Sequence, residues 1–90
     1  MAQTVTECLT NAMDSVNLIN GVNGGSWEVG DMTQSEINEM VQKNVDHLEI
    51  ILAYDGTNEN QPNITSSSSS KKTDCSNAIT TGKAYISSNS

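Results

Sequence analysis

The sequence predicts an all-α fold of two main amphipathic helices and a shorter third one, joined by long polar loops, in a subunit that is oligomeric or embedded in an assembly. Three observations predict it. Threonine-led capping boxes open the first two segments, apolar residues recur at spacings of three and four, and clusters of glycine or serine fill the intervals.

The first helix is expected over about residues 4–20. Thr4, Val5, Thr6 and Glu7 form a T-x-x-E box, in which hydroxyl and carboxylate each satisfy a backbone donor left over at a helix start. Val5, Cys8, Leu9, Ala12, Met13, Val16 and Ile19 then mark one buried face. Gly21 is the expected stop, because glycine readily takes the left-handed conformation that ends helices. A glycine-rich connector follows, with Gly24, Gly25 and Gly30 around Ser26, Trp27, Glu28 and Val29. It lacks the Lys-Ser or Lys-Thr of a phosphate-binding loop. Trp27, the only tryptophan, either folds back over the helix junction or projects as an anchor for another protein.

The second helix, residues 34–54, carries the plainest signal. A second box, Thr33, Gln34, Ser35, Glu36, opens it, with Asp31 adding negative charge near its positive end. Ile37, Met40, Val41, Val45, Leu48, Ile51 and Leu52 fall within a stripe roughly 140° wide, opposite Glu39, Gln42, Asp46 and Glu49. Asn44 interrupts that stripe. One amide in an apolar seam fixes register and oligomeric state when it meets a polar partner. Residues 55–73 read as a Ser-rich loop or linker, with Lys71 and Lys72 solvated beside the serine run Ser66–Ser70. Residues 74–90 read as a short C-terminal helix and frayed tail. Cys75, Ala78, Ile79, Tyr85 and Ile86 share a face with Gly82, which marks either a close backbone contact or a break.

Ninety residues make one small domain, and with 34% hydrophobic residues and no Phe its own core is thin. Chains this lean commonly borrow stability from disulfides, metals or neighbours. Two cysteines are too few for a disulfide framework, so Cys8 and Cys75 read as buried thiols, with a long-range bridge as the alternative. A single histidine and no Cys-x-x-Cys spacing leave no metal or cofactor expected. Eleven acidic against four basic residues, a formal charge of −7, argue against nucleic-acid binding. There is neither a signal-peptide pattern nor a membrane-length apolar run, so no membrane partner and synthesis in a cytoplasm are expected. The Asn63-Ile64-Thr65 sequon is then coincidental.

Catalysis finds no support in spacing. His47 has Lys43, Asn44, Ile50 and Ile51 as helical neighbours, with no carboxylate to orient it, and reads as a contact histidine beside Ile50 and Tyr54. Glu36 with Glu39, and Asp46 with Glu49, are charges on a solvated face, and Glu39 to Lys43 is a helix-supporting pair. No enzyme activity is expected.

The run from Glu36 to Ala53 (EINEMVQKNVDHLEIILA), followed by Asn77 to Tyr85 (NAITTGKAY), resembles small helical accessory proteins encoded among the structural genes of tailed bacteriophages. The resemblance implies a structural role in the virion, at tail, fibres or head surface, and carries no functional residues to transfer. Together with the stripe it yields the expectation of a non-enzymatic virion subunit meeting other virion proteins and copies of itself. Ile37, Met40, Val41, Asn44, Val45, Leu48, Ile51, Leu52 and Trp27 are the expected partner interface. The alternative is a small acidic inhibitor or DNA mimic acting on a host nucleic-acid-binding enzyme, although the acids are spread from Glu7 to Asp74 rather than gathered.

Overall fold

The computed structural model describes residues 5–53 and 69–90. They form three helices, α1 (Val5–Gly24), α2 (Gln34–Ala53) and α3 (Ser69–Ser88), each of 20 residues and each packed against both others. Among the described residues there is no strand. Ser15 meets Asn44 near the middles of α1 and α2, and the short connector 25–33 can only return α2 antiparallel to α1. Gly82 lies against Ile19 while the Cys75 thiol lies near that of Cys8, so α3 runs parallel to α1. The first capping box rests partly on Thr4, and Tyr54 and most of the serine run lie beyond 53 and before 69. These features fall outside the described residues.

The helix that opens at Val5 does not stop at Gly21. It continues to Gly24, because the left-handed residue is Gly25, with φ +79°. The N–H of Gly25 donates to the Val22 carbonyl at 3.2 Å and that of Ser26 to the Gly21 carbonyl at 2.9 Å. This paired bonding is the Schellman motif, and it satisfies carbonyls that a helix end would otherwise strand. The extra turn also buries Val22 in the core.

Helix α2 starts as the sequence predicts. Glu36 N–H donates to the Thr33 hydroxyl at 3.1 Å, and Thr33 N–H donates to the Glu36 carboxylate at 2.8 Å. Thr33 favours the ionised carboxylate and holds Glu36 below its ordinary range, chiefly through its backbone N–H and secondarily through its hydroxyl.

Helix α3 differs most from expectation. It begins at Ser69 rather than near 74, takes in Lys71 and Lys72, passes Gly82 without breaking and reaches Ser88. Its serines, threonines and glycine are weak helix formers, so packing must hold it. Cys75, Ala78 and Gly82 lie buried along one line of it, small enough to bring its backbone close to α1 and α2. At Gly82 a Cβ would lie 2.5 Å from Val45 Cγ2 and 3.3 Å from Ile19 Cγ2. The glycine is a contact point and not a break. The common core consists of Cys8, Ala12, Val16, Ile19 and Val22 from α1, Ile37, Val41, Val45, Leu48 and Ile51 from α2, and Cys75 and Ala78 from α3.

Gly82→Ala should lower stability by about 1–3 kcal/mol, through overpacking, although alanine is the better helix former. Urea titration in the wild-type and Val45→Ala backgrounds checks this, and an equal cost in both would refute the assigned contact. Acidification should loosen the first turn of α2: the lowered Glu36 carboxyl contributes stability above the unfolded value near 4.5, lost as pH falls through the lower folded value. A carboxyl titration by NMR should place the Glu36 midpoint below 4.5, with the protection of the Thr33 amide, relative to its intrinsic exchange rate, falling beneath it.

Candidate interaction site

The stripe expected to meet a partner is the interior of this chain. Ile37, Val41, Val45, Leu48 and Ile51 are buried, with Val41, Val45 and Leu48 at 0% exposure, and Met40, Asn44 and Leu52 are half-buried. The premise that so lean a chain must leave this flank to a neighbour does not hold, because α1 and α3 cover it. The small side chains of α3 explain how: a thin core closes when helices approach closely, without needing more apolar volume.

Asn44 does sit in the seam, and its polar partner belongs to the same chain. The Ser15 hydroxyl donates to Asn44 Oδ1 at 2.8 Å, and Asn44 Nδ2 donates to the Met40 carbonyl at 2.8 Å. Ser15 is the one polar residue among the buried ones described, so the pair sets α1 against α2 at a single register. Spacing located Asn44 but gave no signal for Ser15, whose role appears only when α1 lies beside it.

Trp27 remains at the surface. Its N–H donates to the Gly21 carbonyl at 3.1 Å, and its side chain lies so close to Gly21 that a Cβ there would stand 3.2 Å from Trp27 Cβ and 3.3 Å from Cε3. Of the two readings of the sequence, the fold-back over the helix junction is the one this arrangement shows. The ring folds back over the α1 terminus and is still 42% exposed. Val29 and Met32, joined by a turn with Gly30 at φ +56°, pack beneath the same connector. On the outer side of α2, Ile50 is exposed, as is His47.

The connector end also carries a groove of about 550 Å³ between the start of α2 and the end of α3, lined by Gln34, Asn38, Glu39, Gln42, Ile86 and Asn89 among others. Gln34 Nε2 donates to Asn38 Oδ1 at 2.9 Å and to the Tyr85 hydroxyl at 3.0 Å, while Asn38 Nδ2 donates to the Asn89 carbonyl at 3.1 Å. These amides tie the two helices together and border an apolar strip formed by Ile86. Farther along, Lys83 pairs with Glu49 at 2.9 Å on the surface, where such a bridge is worth at most about 1 kcal/mol. The amide network was not legible in the sequence, because its partners lie 51 residues apart.

A second cleft, of about 440 Å³, lies between α1 and α3 and is lined by Asn17, Asn20, Asp74 and Asn77 with Met13 and Val16 beneath. Burial pushes the Cys75 thiol above its usual range, helped by Asp74 and Cys8, which keeps it protonated. Among the described residues no three of His, Cys, Asp and Glu are placed to hold a metal ion, and no helix is long and apolar enough to cross a membrane. Comparison with protein-family models, curated proteins and solved structures finds no match.

Ser15→Ala should cost about 1 kcal/mol or somewhat more, because it strips Asn44 Oδ1 of its donor in a part-buried site. In a double-mutant cycle with Asn44→Ala, chemical denaturation should give a positive coupling energy, whereas strict additivity would show that the pair does not act as a unit.

Proposed function

We propose that this chain is a non-enzymatic structural protein of a bacteriophage virion, a helical subunit that attaches to or bridges tail, fibre or head proteins. The observation carrying this reading is that the two stretches resembling phage accessory proteins, residues 36–53 and 77–85, coincide with α2 and α3 and meet where Gly82 lies against Val41 and Val45. The resemblance thus falls on two helices in mutual contact. The polar side chains also favour a structural role: Ser15 with Asn44, Thr33 with Glu36, Gln34 with Tyr85 and Lys83 with Glu49 hold helices in place.

The surface offered to other virion proteins is the connector end and not the aliphatic stripe. There an exposed tryptophan stands on a capped helix terminus, the kind of rigid aromatic that commonly anchors an interface. The described acids belong to all three helices and the connector, at Glu7 and Asp14, Glu28 and Asp31, Glu36 to Glu49, and Asp74, which is poor mimicry of a nucleic-acid backbone.

Mass spectrometry of purified particles should detect the chain at a fixed ratio to the major structural proteins, and its absence from intact particles would end this proposal. Trp27→Ala should retain the helical circular dichroism of the wild type while its copy number in particles falls. Unchanged incorporation would remove Trp27 from the interface.

A further inference from the structure

The sequence contains two Asn-Gly steps, Asn20-Gly21 and Asn23-Gly24, three residues apart on α1, and the fold treats them differently. We infer that Asn23 is a site of spontaneous deamidation and that Asn20 is protected by the structure. In this reaction the backbone nitrogen of Gly24, having lost its proton to base, bonds to Asn23 Cγ, and the Cγ–Nδ2 bond breaks to release ammonia. Water then opens the resulting cyclic imide at either carbonyl, leaving aspartate or isoaspartate. Only water is consumed, because the proton taken by base is given back to the departing ammonia.

Glycine next in the chain favours ring closure because it has no side chain to obstruct it, so both steps qualify by sequence. Geometry separates them. Asn23 and Gly24 are exposed, they lie in the last turn of α1, and beyond the neighbouring residues and the helix's own backbone no heavy atom stands within 4 Å of where a Gly24 Cβ would be. Opening this one terminal turn frees the nitrogen to attack. Gly21 lies beneath Trp27, and its carbonyl accepts the N–H groups of both Ser26 and Trp27. Reaction at Asn23 needs only the terminal turn and its cap bonds to open, whereas reaction at Asn20 needs the helix to unwind a further turn, past the half-buried Gly21 that Trp27 covers.

Isoaspartate at position 23 carries the main chain through Cγ and lengthens it by one methylene. The bonds from Gly25, Ser26 and Trp27 back to Val22 and Gly21 all span that position, so their register is lost and Trp27 is released from Gly21. Either product also places a new negative charge at the negative end of the helix. Deamidation at Asn23 thus converts a docked tryptophan into a loose one on a slow clock.

The full-length chain is incubated at mildly alkaline pH, folded and in urea, and the mass gain at each asparagine is followed by peptide mapping alongside tryptophan emission. In the folded chain Asn23 should convert roughly ten-fold faster than Asn20, with the two rates converging in urea. Equal rates in the folded chain, or a ratio that persists in urea, would overturn the assignment to the fold. Emission should move to the red as isoaspartate accumulates and stay constant in Asn23→Gln. Isoaspartate without a spectral change would overturn the release of Trp27.

Discussion

The bundle depends on how closely the backbone of α3 approaches the other two helices. Gly82 meets Val45, Ile19 and Val41 with no Cβ of its own, and Cys75 and Ala78 continue the same line with little more volume. A larger side chain there would hold α3 away and open the core to water along α2. Close approach also explains why a helix made of serine, threonine, asparagine and lysine persists for 20 residues. Its intrinsic propensity is poor, and contacts with two neighbours substitute for it.

The same closeness resolves the shortage of apolar volume. A chain with no Phe and one Trp cannot fill a wide core, so the core is narrow. Val41, Val45 and Leu48 are wholly covered by their own chain, and dense packing supplies what large rings would otherwise provide. The polar pair of Ser15 and Asn44 adds selectivity to this arrangement. Sliding α1 along α2 by a turn would part the Ser15 hydroxyl from Asn44 Oδ1, a penalty that apolar contacts alone would not impose.

With the stripe closed inward, the surface that distinguishes this molecule lies at the end where α1 stops, α2 starts and α3 stops. Trp27 on its cap and the amide-bordered groove beside Ile86 both belong to that end. Under the proposed structural role, this end would meet the larger assembly while the core between the helices stays closed. The connector's hydrogen bonds are then more than loop geometry, since they set whether the tryptophan is held or released.

The sequence by itself determined the helices and much of their chemistry. Periodicity placed α2 and its buried face, and the Thr33–Glu36 box formed as read, because caps and amphipathic faces are local properties encoded within a few residues. Gly82 was legible as a contact or a break but not as which. Only the tertiary structure decided what covers the stripe, that Asn44 pairs with Ser15, that α3 begins at Ser69, and that Gly25 rather than Gly21 ends α1. Each of these turns on residues far apart in sequence or on which of several glycines takes positive φ, and the free energy that selects among them comes from packing, which a one-dimensional pattern does not contain.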